Sequence, residues 1–280
     1  MKSKISGRWT VAHPLVRAFR HVVAAVALLS SVVGTAWAAC PTVGPPPNYT
    51  VTPPPTPGVD WSGCNLDNAN LSGFDLSLAN LSNATLVNAN LSGSNLYAYL
   101  NNSNFTGANL GNANMSGSIA NDSIFKYAKL SGAQIANAGV QRADFSGADL
   151  SGVNLTGSYL DGALLNADLS GVKASGVNGK PLSLPPGWRL MSGYLIGAKA
   201  DLSGANLSNF DLTGMNLSGT KFSTANVAGT VFLGAELTNA SFSAATGLPA
   251  SFMDAAYLNT TCPNGTRVTS PRACWTTGIN

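Results

Sequence analysis

One stretch constrains this chain more than any other: NLDNANLSGFDLSLANLSNATLVNANLSGSNL, residues 65–96, which repeats every five residues. Leucine stands at 66, 71, 76, 81, 86, 91 and 96, and the residue two places earlier is usually small, as at Ala69, Ala79, Ala84 and Ala89. Neither a helix nor a simple strand has that period. In an extended chain side chains alternate, so the leucine and the small residue two before it point one way, and the residues flanking the leucine point the other. Five is odd, so the next leucine reaches the same side only if the chain turns a corner in every unit. A chain built this way winds into a coil, with leucine along its axis and its Asn, Asp and Ser positions facing water.

This A(D/N)LSG pattern resembles the pentapeptide-repeat family, and the resemblance covers most of the chain after residue 39. It implies an all-β fold: a right-handed quadrilateral parallel β-helix with one five-residue unit per side. Equivalent core positions of a four-sided coil recur every twenty residues. Phe105, Phe125 and Phe145 keep that spacing, as do Phe222 and Phe242, which predicts ladders of rings about 4.8 Å apart. Outside, Asn70, Asn90 and Asn109 are expected to stack, with Lys129, Asp149 and Asp168 following on the same side. Lys129 over Asp149 would make a surface ion pair worth about 0–1 kcal/mol.

Residues 1–39 read as a signal peptide. Lys2, Lys4, Arg8, Arg17 and Arg20 precede an apolar run from Val22 to Val33 and an A-x-A site at Ala36-Trp37-Ala38. Cleavage near Ala38/Ala39 would place the protein in the periplasm or outside the cell, with no stable membrane insertion afterwards. A retained anchor and a lipid on Cys40 are the alternatives. The address segment holds five of the fifteen Lys and Arg, no Asp or Glu, and both histidines, His13 and His21. Ten basic residues then face twelve acidic ones, so the formal net charge falls from +3 to −2. The remaining chain has no histidine, the commonest general base and metal ligand.

A proline-rich lead-in or N-terminal cap spans 40–64, followed by a first repeat block over 65–172. An external insert loop is expected over 173–197, a second block over 198–247 and a C-terminal cap over 248–280, giving about eight coils. Phe252, Met253, Tyr257 and Leu258 are expected to lie over the last coil. In an oxidising compartment the four cysteines, grouped at opposite ends of a long solenoid, are expected to pair as Cys40–Cys64 and Cys262–Cys274.

No catalytic or metal-binding constellation stands out, and no cofactor is expected. Asp75, Asp144, Asp149, Asp168, Asp201 and Asp211 occupy the repeat's outward position, so their spacing reflects the fold. The departures from a polar exterior are Tyr97, Tyr99 and Tyr159, with Lys126 and Tyr127 near a corner. These form the candidate binding surface, unless the insert carrying Trp188 and Tyr194 covers some of them. Three functions follow in order: a non-enzymatic structural or binding solenoid for an unidentified protein or polysaccharide, a DNA-mimicking protector of DNA gyrase, and an enzyme. Export and near-neutral charge oppose the second and argue against a nucleic-acid partner. A homodimer through one end of the solenoid is a further expectation.

Overall fold

The structure, a computed structural model, describes residues 39–269 and Cys274. The signal-peptide reading of residues 1–39 therefore lies outside the described residues except for its last position.

The chain winds as a right-handed, four-sided β-helix, and no helix occurs among the described residues. Each side contributes one parallel bridge per coil, so four ladders run along the rod. The first face carries Thr50, Asn70, Asn90, Asn109, Lys129, Asp149 and Asp168, and the second begins at Asp75, Asn95 and Asn114. The third carries Asp60, Asn80, Tyr99, Ile119, Gly139, Tyr159 and Asn178, and the fourth Asn65, Thr85, Asn104, Ile124, Asp144, Leu164 and Ser183.

The five-residue unit explains itself at each corner. The outward Asn or Asp accepts a hydrogen bond from the backbone N–H two residues on, as Asn65 does from Asp67 and Asp75 from Ser77. That closes the turn locally. The turn residue then takes positive φ. Glycine or asparagine fills most such corners, since both enter the left-handed region at low cost. Along the first face, Asn90 donates to Asn70 and Asn109 to Asn90 through their side-chain amides, at 3.4 and 3.2 Å.

Inside, the repeat leucines Leu66, Leu71, Leu76, Leu81, Leu86, Leu91, Leu96 and Leu100 are fully buried, with alanine at most of the small positions between them. Phe105, Phe125 and Phe145 stack with centroids 4.9 and 4.8 Å apart, and Phe222 stacks on Phe242 at 4.6 Å. Some small-residue positions hold buried hydroxyls that donate to the preceding coil. Ser103 reaches the Leu81 carbonyl, Ser123 that of Leu100 and Ser158 that of Ile135, at 2.5–2.7 Å.

Both ends close with short antiparallel hairpins. Strands β1 (Thr42–Val43) and β2 (Val51–Thr52) pair at the start, and the Cys40–Cys64 disulfide holds them to the first coil. Near the other end β5 (Thr260–Thr261) pairs with β6 (Arg267–Val268), and Cys262, wholly buried in a core position, is bonded to Cys274.

Two boundaries and one packing expectation differ from the sequence reading. The coil does not stop at Lys173: Asn154 bridges Lys173, Tyr159 bridges Asn178 and Leu164 bridges Ser183. The leucine pattern vanishes there because Ala174 and Gly179 follow the bridging residues where leucine usually stands. Only about 184–196 depart, since the Lys199 carbonyl accepts from the Gly171 N–H and the Lys199 N–H donates to the Ser218 carbonyl, so the insert starts later than 173–197 suggested. The second block also continues past 247, through bridges at Ser251, Ala256 and Thr261. The second-face ladder runs Asp75, Asn95, Asn114, Gln134, Asn154, Lys173, Asp201, Lys221, Ser241, Thr261. Nine turns at about 4.8 Å give a rod about 43 Å long, slightly more than eight coils. Finally, Phe252 stacks on Phe232 and Tyr257 is buried, but Met253 and Leu258 are exposed. They stand just after the core residue, where the chain turns outward.

Within the insert, β3 (Arg189–Met191) pairs with β4 (Tyr194–Ile196). Leu195 is the last buried member of one apolar core and Ile196 the first of a second, while Trp188 packs against both. The segment therefore lies between two stacks of coils rather than purely outside one.

Candidate functional site

The candidate surface residues do not form one patch. Tyr99 and Tyr159 belong to the third-face ladder, separated by Ile119 and Gly139. Tyr97 turns the corner beside them, in a unit shortened to four residues, and lies over Gly117 of the next coil. Leu78, 47% exposed and at φ 61°, stands one coil below at the same corner. Sequence reasoning passed over it, although LSLAN places leucine where glycine or asparagine usually stands. Tyr97, Tyr99 and Tyr159 are half-buried, and burial raises the phenol pKa of Tyr97 and Tyr99.

Lys126 and Tyr127 sit elsewhere, at the corner between the fourth and first faces. Tyr127 is 69% exposed at φ 57°, a costly conformation for a bulky residue. Its ring lies against Gly147, where an added Cβ would meet ring carbon at 2.6 Å. Glycine there is favoured twice, by φ of 71° and by the ring above it.

The insert's described contacts go elsewhere. The Val177 N–H donates to the Gly193 carbonyl, the Asn206 N–H to the Tyr194 hydroxyl, and the Tyr194 ring meets Phe210 edge-on at 6.0 Å. Pro185 and Pro186 border a shallow groove of about 420 Å³ over Asp149 and Asp168 on the first face. The apolar landing surface of these contacts is thus the core of the two stacks.

Charges are spread thinly. Lys129 and Asp149 are neighbours in the ladder but form no ion pair within 4.0 Å among the described residues, contrary to the sequence reading. Lys126 reaches across to Asp144 at 3.1 Å instead, and Arg142 grips Asp122 with two hydrogen bonds of 2.6 Å. Both ion pairs among the described residues involve a residue at a corner, Lys126 or Arg142, rather than one in a ladder position on each side. The Arg142 hydrogen bonds hold the Asp122 carboxyl below its usual value. At Asp144 burial raises the pKa, but hydrogen bonds from Ser146 and the Lys126 ammonium together prevail and lower it. Backbone and side-chain hydrogen bonds from Ser170 lower that of Asp168. Among the described residues no group of three or more His, Cys, Asp or Glu converges in a way that could hold a metal ion. No helix there is long and apolar enough to cross a membrane.

Residues 62–96, 98–134, 128–166, 141–178, 198–232 and 216–246 match the family model for pentapeptide repeats, in eight copies. No curated protein sequence matches the chain. Solved structures that resemble it include HetL, a pentapeptide repeat protein involved in heterocyst differentiation regulation from the cyanobacterium Nostoc sp. strain PCC 7120. It is 21% identical over 74% of this chain and 92% of its own, with a TM-score of 0.38. QnrB1, a plasmid-mediated fluoroquinolone resistance protein, is 18% identical over 71% of this chain and 91% of its own, with a TM-score of 0.33. A pentapeptide repeat protein from the Arabidopsis thaliana thylakoid lumen is 20% identical over 39% and 71%, with a TM-score of 0.26.

Proposed function

This chain belongs to the pentapeptide-repeat family, and from that premise we propose that it is a non-catalytic docking rod outside the cytoplasm, binding a protein or polysaccharide through its third face. The observation that carries this reading is the run Tyr99, Ile119, Gly139, Tyr159, flanked at the corner by Leu78 and Tyr97. Elsewhere the same ladder positions hold mostly asparagine, aspartate, serine or threonine. Aromatic and aliphatic side chains on a rigid face offer contact area with little entropy left to lose, which suits a binding surface. The acidic residues support the same choice over a DNA mimic. Asp60, Asp75, Asp144 and Asp149 stand on four different faces and line none of them continuously.

The signal-like leader and the two disulfides support an oxidising location. The test is a pull-down with purified, oxidised protein comprising residues 39–280, against envelope and extracellular fractions of the source cells. Tyr99→Ser with Tyr159→Ser is the informative variant, and Tyr127→Ser, at a distant corner, is the control. A component retained by the parent and the control but lost by the double variant supports the reading. Equal retention by all three, or none, rejects the third face as the docking surface.

A further inference from the structure

Among the described residues, the ladder is continuous through the insert on only one of the four faces. On the second face Lys173 bridges Asp201 directly, supported by bonds from the Gly171 N–H to the Lys199 carbonyl and from the Asp201 N–H to the Val172 carbonyl. The other three ladders break: Asp168, Asn178 and Ser183 end one stack, and Asn216, Asn206 and Asp211 begin the next, with no direct bridge between them among the described residues. On the third face the β3–β4 hairpin substitutes for a rung, through the Gly193 carbonyl below and the Tyr194 hydroxyl above. On the fourth face no backbone hydrogen bond joins Ser183 to Asp211 among the described residues.

The axis breaks at the same level. Gly197 occupies a core position, because its carbonyl accepts from the buried Thr220 hydroxyl as the Leu207 carbonyl does from Thr230. A Cβ on Gly197 would meet the Trp188 indole at 2.3 Å, so the indole fills the space a core side chain would take. Around the Lys173–Asp201 rung lies a separate cavity of about 80 Å³, lined by Lys173, Ser175, Tyr194 and Asp201 among others.

We propose that this joint is a hinge: the two stacks pivot about the Lys173–Asp201 rung, and Trp188 is the wedge that sets the angle between them. Within either stack bending must break several parallel hydrogen bonds at once. At the joint it costs the hairpin's substitute contacts, some of the apolar packing of Leu195, Ile196 and Tyr194, and a partial withdrawal of one indole, but no run of parallel hydrogen bonds outside the second face. The second face is the pivot, so the opposite fourth face moves furthest. The motion would change the relative heading of the outer faces of the two stacks, giving a rigid rod one place at which it can conform to a curved partner.

Pulsed electron paramagnetic resonance can test this on the full mature, oxidised chain. Spin labels on a genetically introduced ketone side chain leave the disulfides undisturbed. One pair replaces Ile124 and Asp211 on the fourth face, the other Gln134 and Lys221 on the second, each spanning the joint by about 20 Å. The expected result is a broad distance distribution for the fourth-face pair and a narrow one for the second-face pair. Trp188→Ala should broaden the first further and leave the second alone. Equal widths in the otherwise unaltered protein overturn the hinge, whether or not the Trp188 variant folds. A difference that Trp188→Ala leaves unchanged overturns the part assigned to the indole.

Discussion

The coils around Phe125 and the joint around Trp188 fill the same axis by opposite means. Phe125 is held between identical rings 4.9 and 4.8 Å away, in a coil tied to its neighbours on all four sides. Trp188 is partly exposed, arrives from a hairpin and fills space left by a glycine. Repetition makes the first region redundant, with each coil supporting the next. The second has no equivalent above or below it, so its contacts cannot be shared. Local strength in a solenoid is therefore set by how many ladders pass through a level, not by how large the side chain is there.

The comparison is sharpest if a large ring is removed from each region. Phe125→Ala should cost about 3–5 kcal/mol in denaturant unfolding, the range for a buried phenylalanine whose neighbours cannot collapse. Trp188→Ala should cost less, about 2–3 kcal/mol, and should split a single transition into two as the stacks uncouple. Equal costs with one shared transition would break the distinction. Next, Gly147→Ala should lose about 1–2 kcal/mol, through its positive φ and the overlying Tyr127 ring. Combining it with Tyr127→Ala should recover part of that loss in a double-mutant cycle. Ser158→Ala, which leaves the Ile135 carbonyl without its staple in an interior coil, should cost about 1 kcal/mol by thermal unfolding. Thr220→Ala, whose staple is the Gly197 carbonyl at the joint, should be milder because that coil can relax.

The smallest effect is electrostatic. The folded-state pKa of Asp122 lies below the ordinary 3.8, so its pair with Arg142 contributes above that value and is lost as pH falls through the lower one. Both groups are well exposed, so solvent screening keeps the loss small. Acid titration of Arg142→Gln beside the parent measures it: the two stability curves should converge at low pH.

Much of this was legible in the sequence because the five-residue period is a local signal carried by many copies. The phenylalanine ladders, for example, follow from spacing alone. Legibility failed first where the core position held no large apolar residue. Ala174 and Gly179 hid a coil because the reading followed large apolar side chains, whereas the ladder follows backbone hydrogen bonds. Ser251, Ala256 and Thr261 hid another because the bridging residues there are neither Asn nor Asp. The candidate surface was harder still. The outward aromatic residues are single departures that no repeat reinforces, and the shortened unit at Tyr97 changes the spacing between stacked residues from 20 to 19 across one coil.

The hairpins at the two ends also bear on polymerisation. A stack of identical rungs resembles a growing linear polymer, since each coil offers the next the unpaired groups it needs. Head-to-tail addition of another molecule requires parallel pairing. Here the terminal segments run antiparallel, β1 against β2 and β5 against β6, and each is tied back by a covalent cross-link. They act as chain terminators. Reducing both cross-links should therefore do more than loosen the ends: it should unmask an edge on which fibre growth can start.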